Sequence, residues 1–142
     1  MAAGAAACAL LLNAADAQIY PAKPIRIVTP YAPGGTADIL SRVVAQKLSE
    51  TWGQQVVVDN RPGASGMLGA DIAAKAAPDG YTILMAYVAE IAITQSLFRS
   101  MTYDPVKDLA PVTLAAVTPM IFVVHPSLPA RNVSELVALA KS

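Results

Sequence analysis

Two glycine-rich turns carry the residues of this chain best suited to hold a small anion. The first is Tyr31-Ala32-Pro33-Gly34-Gly35-Thr36, and the second is Arg61-Pro62-Gly63-Ala64-Ser65-Gly66. An apolar strand-like run precedes each, and a helix-like run follows directly. Glycine lets the backbone approach a ligand closely and take positive φ. The N–H groups at the following helix N-terminus then carry partial positive charge and point outward. Two such turns on one sheet edge suggest a protein that holds a small anion. From the residues alone, Gly34-Gly35 reads equally well as an anion cradle or as a plain tight turn. If it is a cradle, a β-branched residue at Gly35 should strain the turn and block close approach.

The polar neighbours sort as follows. Asp38 falls in the first turn of the first helix, where the dipole stabilises an acid and a role in ordering the loop is favoured. Arg61 could pair with a carboxylate, but bracing its own loop through carbonyls or Asp59 is the preferred reading. Ser65, between Ala64 and Gly66, is a pocket-rim residue. Tyr87-Val88-Ala89-Glu90 follows the third strand-like run and should face the same cleft. Glu90 is either cleft-facing, favouring an amide or amine ligand, or merely dipole-stabilised at a helix start; the second is preferred. The three loops 31–36, 63–67 and 87–90 are expected to converge.

Catalytic chemistry finds little footing. His125 is the sole histidine, and no metal-ligand cluster is present. Gly63, Gly66 and Gly69 miss the dinucleotide spacing, and Met67 breaks a nucleophile elbow at Ser65. No catalytic residue, metal or cofactor is expected. Two rivals stand beside the binding reading: a small α/β enzyme domain, and a truncated product that binds nothing.

The elements that must position these loops follow from periodicity. Residues 25–30, 55–58 and 82–86 are short apolar strands, and continuous apolar strands suit a sheet covered on both faces. Between them, Ile39, Leu40, Val43, Val44 and Leu48 make one helical face, opposite Ser41, Arg42, Gln46, Ser49 and Glu50. Gly53 fits a helix C-cap. Residues 67–77 form a second helix, stopped by Pro78-Asp79-Gly80, and 91–98 a third. This alternation predicts βαβ crossovers and a parallel α/β sheet. After Tyr103-Asp104-Pro105 the texture changes: 112–117 and 120–124 read as strands, and Asn132 with Glu135 makes a capping box for a last helix.

The chain has 142 residues and zero formal net charge, with no basic footprint for nucleic acid. Its first seventeen residues resemble a secretory signal, with Ala15-Asp16-Ala17 as the cleavage site before Gln18 and no basic n-region. Cys8, the one cysteine, lies inside that signal, so the mature chain has no disulfide, and its placement argues against lipidation. Asn132-Val133-Ser134 is better explained by the N-cap than as a glycosylation sequon.

Six stretches, in order, carry a family resemblance. They are Tyr20-Pro21 with Lys23-Pro24-Ile25-Arg26, then Pro33-Gly34-Gly35-Thr36-Ala37-Asp38, then Asp59-Asn60-Arg61-Pro62-Gly63-Ala64-Ser65-Gly66. Ala77-Pro78-Asp79-Gly80-Tyr81-Thr82, Tyr103-Asp104-Pro105-Val106-Lys107-Asp108 and His125-Pro126-Ser127-Leu128-Pro129 complete the set. Together they resemble the Bug family, the TctC-type periplasmic substrate-binding proteins of tripartite tricarboxylate transporters. The resemblance implies a type II periplasmic-binding-protein clamshell, of which this chain matches only about the first half. Residues 1–17 would be the signal, 18–117 the first part of domain one, and 118–142 the interdomain crossing and start of domain two. It implies a small organic anion or amide as ligand, permease subunits as membrane partners, and export to the periplasm. It selects the cradle reading, with loop 31–36 meeting a ligand carboxylate through main-chain groups, partly through water. Met67 and Glu90 depart from the family, which carries a polar residue at the first and small or hydroxyl residues at the second.

Overall fold

The computed structural model describes residues 20–142. The expected signal segment and its cleavage site lie outside them. Three parallel strands, β1 (Ile25–Thr29), β2 (Val56–Asn60) and β3 (Thr82–Leu84), are hydrogen-bonded in the order β2-β1-β3. Ile27 sits opposite Val58 on one side and Ile83 on the other, so β1 is central. Its residues are correspondingly buried on both faces, with Ile25, Val28 and Thr29 fully covered.

Helix α1 (Thr36–Trp52) connects β1 to β2 and packs on both. Helix α2 (Met67–Ala74) connects β2 to β3 and packs on β1 and β3. The chain steps to one side of β1 and then back across it. Right-handed crossovers in opposite directions put the two helices on opposite faces of the sheet. Gly69 makes the α2 contact possible, since a Cβ there would fall 2.7 Å from the Pro30 side chain.

One face of the core joins Ile25, Ile27, Ala45 and Val56, with Val44, Leu48, Val58, Tyr81, Ile83 and Met85 packed against them. The face expected for α1 is corrected here. Val44 and Leu48 do point inward, but Ile39 and Val43 are more than half exposed, and Ser41 is fully buried. The reason is polar: the Ser41 hydroxyl meets the Thr29 hydroxyl at 2.7 Å, so a serine is satisfied inside. Gly53 ends α1 at φ +65°, its N–H donating to the Ser49 carbonyl at 3.0 Å.

The rim of the sheet away from the glycine loops is closed by aromatic rings. Tyr20 lies edge-on to Trp52 with centroids 6.0 Å apart, and tilted to Tyr81 at 5.0 Å. Its hydroxyl donates to the Gly80 carbonyl at 2.7 Å, while Lys23 pairs with Asp79 at 3.0 Å and lies over the Tyr81 ring.

After β3 the chain makes a single π-helical turn over Ala89–Ile93, which runs into the short helix α3 (Thr94–Leu97). The compact unit so formed ends at Pro111. Residues 112–142 form a second unit. The two strands expected at 112–117 and 120–124 do not form. These residues carry no regular secondary structure and meet no partner strand among the described residues, and a strand exists only through its ladder. Their apolar side chains are exposed, Met120 and Phe122 among them. Helix α4 (Val133–Lys141) does form. The Asn132 side chain accepts the Glu135 N–H at 3.0 Å, and Glu135 accepts the Arg131 N–H at 2.7 Å. The box therefore closes one residue earlier than its usual form.

Candidate functional site

In the order β2-β1-β3, the connection from β1 runs to one side of it and the connection from β2 returns across it to the other. The crevice beyond the carboxyl ends of β1 and β3 is thus a topological switch point, where open α/β sheets bind ligands. A concavity of about 360 Å³ lies there, lined by Tyr31, Gly35, Thr36, Ala37, Tyr87, Val88 and Ala89. The strand ends deliver Tyr31 and Tyr87, whose rings meet edge-on at 5.2 Å. The first turn of α1 delivers the rest of the far wall.

The first loop is held by Asp38. Its carboxylate accepts the Gly34 N–H at 3.0 Å and the Arg42 Nε–H at 2.9 Å. Arg42, and next the Gly34 N–H, hold the Asp38 carboxyl down at about 2, well below the ordinary carboxylate range. Asn60 adds a second tie, donating from Nδ2 to the Tyr31 carbonyl at 3.1 Å. The Gly34 N–H is therefore already used. Regular bonding in α1 begins with the Ile39 N–H to the Gly35 carbonyl at 3.0 Å. The N–H groups of Gly35, Thr36 and Ala37 precede it and are the donors a ligand could take.

The two glycines do different things. Gly34 sits at φ +87°, so the turn requires a residue tolerant of the left-handed region. Gly35 is extended, with φ −80° and ψ 171°, and a Cβ there would lie an ordinary 3.6 Å from the Ala32 carbonyl oxygen. The strain expected on substituting Gly35 is therefore misplaced: it belongs to Gly34. Gly35 contributes open space in the lining instead. Ala32, Pro33 and Gly34 are exposed but stand outside the concavity.

The second turn is backbone-strained. Ala64 and Ser65 have φ of 48° and 54°, unusual for residues with a Cβ, and Gly66 follows at 90°. Arg61 braces this loop, its side chain on Asp59 at 3.0 Å and its N–H on the Thr29 carbonyl at 2.8 Å. Asp59 also takes Arg26 from β1, at 2.7 Å from its Nε. Ala64 and Ser65 are exposed and not part of the lining.

Glu90 is wholly buried, in the first turn after the third loop. Its Oε2 accepts the Tyr87 N–H at 3.1 Å, while Oε1 has no hydrogen-bond partner. Burial pushes its carboxyl above the usual range. Burial, and then the nearby Glu90 charge, push the Tyr31 phenol up as well. The Glu90 carbonyl is held by the Tyr103 hydroxyl at 2.7 Å and the Thr94 hydroxyl at 3.3 Å. Glu90 therefore stands behind the lining rather than in it.

Of the residues singled out in sequence, the structure gathers Tyr31, Gly35, Thr36 and Tyr87 around one concavity. Ala37 was missed. The signal for it was present, since it lies in the first turn of the helix and its N–H is unpaired by rule.

Comparison with known proteins adds an independent line. Residues 40–142 match the tripartite tricarboxylate transporter family receptor, TctC. Protein BugT of Bordetella pertussis is 41% identical over 128 residues, covering 89% of this chain and 39% of that protein. Among solved structures, Rpa4515 of R. palustris with adipate aligns at a TM-score of 0.75, with 38% identity over 86% of this chain and 41% of that one. MatC from Rhodopseudomonas palustris with bound malate aligns at 0.74, with 31% identity over 87% of this chain and 42% of that one. The chain spans about two fifths of the length of the curated relatives it matches.

Proposed function

Because this chain belongs to the tripartite tricarboxylate transporter receptor family, we propose that it supplies the first-lobe ligand grip of a periplasmic solute-binding protein. The ligand is a small carboxylate or a related amide, and the captured solute passes to membrane permease subunits of the transporter. Closure of two lobes about a hinge is the motion such a protein needs.

One observation carries this reading. The concavity at the β1/β3 switch point is lined by Gly35, Thr36 and Ala37, whose N–H groups precede the first helical hydrogen bond at the head of a seventeen-residue helix. Those donors and the helix dipole suit a carboxylate oxygen or an amide carbonyl. The remaining lining is phenol rings and small apolar groups, which bind without reacting. Capture and release require no bond-making group, so no catalytic step is assigned. Loop 63–67 and Glu90 support the lining from behind, Asp38 and Arg61 order the loops, and Ala32, Pro33, Ala64 and Ser65 fall to the rim. The adipate of Rpa4515 and the malate of MatC fit the same ligand class.

The test is calorimetry on the whole product of the gene, titrated with mono-, di- and tricarboxylates and their amides. Saturable binding to a single site by members of that panel is expected, without turnover. Binding confined to sugars or nucleotides, or consumption of a bound compound, would sink the proposal.

A further inference from the structure

Glu90 is tied to two of the loops around the concavity by direct contact and to the third by charge. It takes the Tyr87 N–H of the third loop through Oε2. Its charge, after burial, helps push up the Tyr31 phenol of the first. It also packs so closely on the second that a Cβ at Gly66 would fall 2.6 Å from its Cγ and 2.7 Å from its Cδ. Its own main chain is pinned by Tyr103 and Thr94. A fully buried carboxyl with one unpartnered oxygen is expensive to keep. A leucine would fill similar volume, so packing alone does not call for a hydrogen-bond acceptor here.

We infer that Glu90 is a positioning residue for the ligand site: its carboxyl sets the spacing of loops 31–36, 63–67 and 87–90, and so fixes the Tyr31–Tyr87 wall against the helix donors. This rests on the solute-binding reading for its functional consequence, but the loop-spacing role stands on geometry alone. Acting through Tyr31, Tyr87 and Gly66, Glu90 touches no ligand. Gly66 is its required counterpart, because only a residue without a side chain leaves room for the carboxyl.

The test uses the whole gene product with Glu90→Gln, Glu90→Ala, Gly66→Ala and the Glu90→Ala/Gly66→Ala pair. Ligand affinity is read by calorimetry with adipate and malate, well below each variant's melting temperature. Backbone hydrogen exchange is read on the apo proteins. Glutamine keeps an acceptor for the Tyr87 N–H and the same volume, so Glu90→Gln should bind within a few-fold of wild type. Glu90→Ala should lose roughly tenfold or more, the scale of one misplaced hydrogen bond. Amides in 63–67 and at Tyr87 should exchange faster in Glu90→Ala. Gly66→Ala should weaken binding more in the wild-type background than in the Glu90→Ala background, because only the former holds the clash partner, while the strain of a side chain at φ +90° is common to both.

A purely structural Glu90 would lower the melting temperature while leaving the folded protein's affinity and loop exchange unchanged; that result overturns the inference. Equal Gly66→Ala losses in both backgrounds overturn it too. If wild type binds neither acid nor any of the wider panel, the solute-binding reading fails. The loop-spacing role is then decided by hydrogen exchange: unchanged exchange in 63–67 refutes it, and faster exchange upholds it.

Discussion

The division of labour between Gly34 and Gly35 gives the sharpest prediction. Gly34 lies at φ +87°, and an L residue there costs roughly 1–2 kcal/mol, less a small gain from a stiffer unfolded chain. A net loss of about 1 kcal/mol in a unit of this size should lower the melting temperature by roughly 4–8 °C. Gly35→Ala carries no such strain, as its backbone is already extended and its new Cβ meets only the Ala32 oxygen at 3.6 Å. The poorer N-cap, a few tenths to about half a kcal/mol, is offset by the entropy term. Binding should show the reverse order. A valine at 35 intrudes on the concavity beside the helix donors. Displacing one charge-assisted hydrogen bond costs roughly 1.5–3 kcal/mol, or about one to two decades in affinity. Urea melts and calorimetry on Gly34→Ala, Gly35→Ala and Gly35→Val separate the two effects. If Gly35→Ala loses as much stability as Gly34→Ala, or Gly35→Val binds like wild type, the assignment of strain to one glycine and access to the other is wrong.

Three further outcomes are expected. Ser41→Ala strands the buried Thr29 hydroxyl and should cost about 1–3 kcal/mol, while the Thr29→Val/Ser41→Ala pair should recover much of it; a double variant no better than the single refutes the pairing, by urea midpoint. Asp38 has a folded pKa of about 2 against an ordinary 3.8, so its contribution is full above the higher value and fades as pH falls through the lower. Glu90 is raised, so its contribution is full below the ordinary 4.5 and fades as pH rises toward its folded value. Urea midpoints across acid pH should lose the first slope in Asp38→Asn and the second in Glu90→Gln. Finally, the exposed apolar side chains of 112–124 should drive concentration-dependent association of the 142-residue chain by itself; light scattering that shows a monomer at all concentrations would contradict this.

Much of the sheet was legible because its signals are local. Continuous Ile/Val runs and glycine-rich turns placed β1, β2, α1 and α2 within a few residues of where they lie. The crossover rule supplied parallel pairing. What escaped depends on partners distant in sequence. Ser41 is inside α1's buried face only because Thr29, twelve residues earlier, offers its hydroxyl. The burial of Glu90 depends on a gap left by Gly66, which no periodicity reveals. The 112–124 runs have the composition of strands, and composition cannot provide a neighbour to bond with. Within the site, loop identity was readable, but the conformational roles of Gly34 and Gly35 were not, since only φ distinguishes them.

The aromatic rim has a consequence for how binding can be watched. Trp52 is the sole tryptophan, and it closes α1 at the end opposite the concavity. Seventeen helical residues at about 1.5 Å each put roughly 25 Å between that indole and the free N–H groups at the helix head. Its emission is therefore a gauge of whether the Tyr20 rim stays shut, not of whether the crevice is filled. A titration that leaves indole fluorescence flat is compatible with tight occupancy. Near-ultraviolet ellipticity from the crossed Tyr31 and Tyr87 rings is the signal that sits at the right end of the molecule.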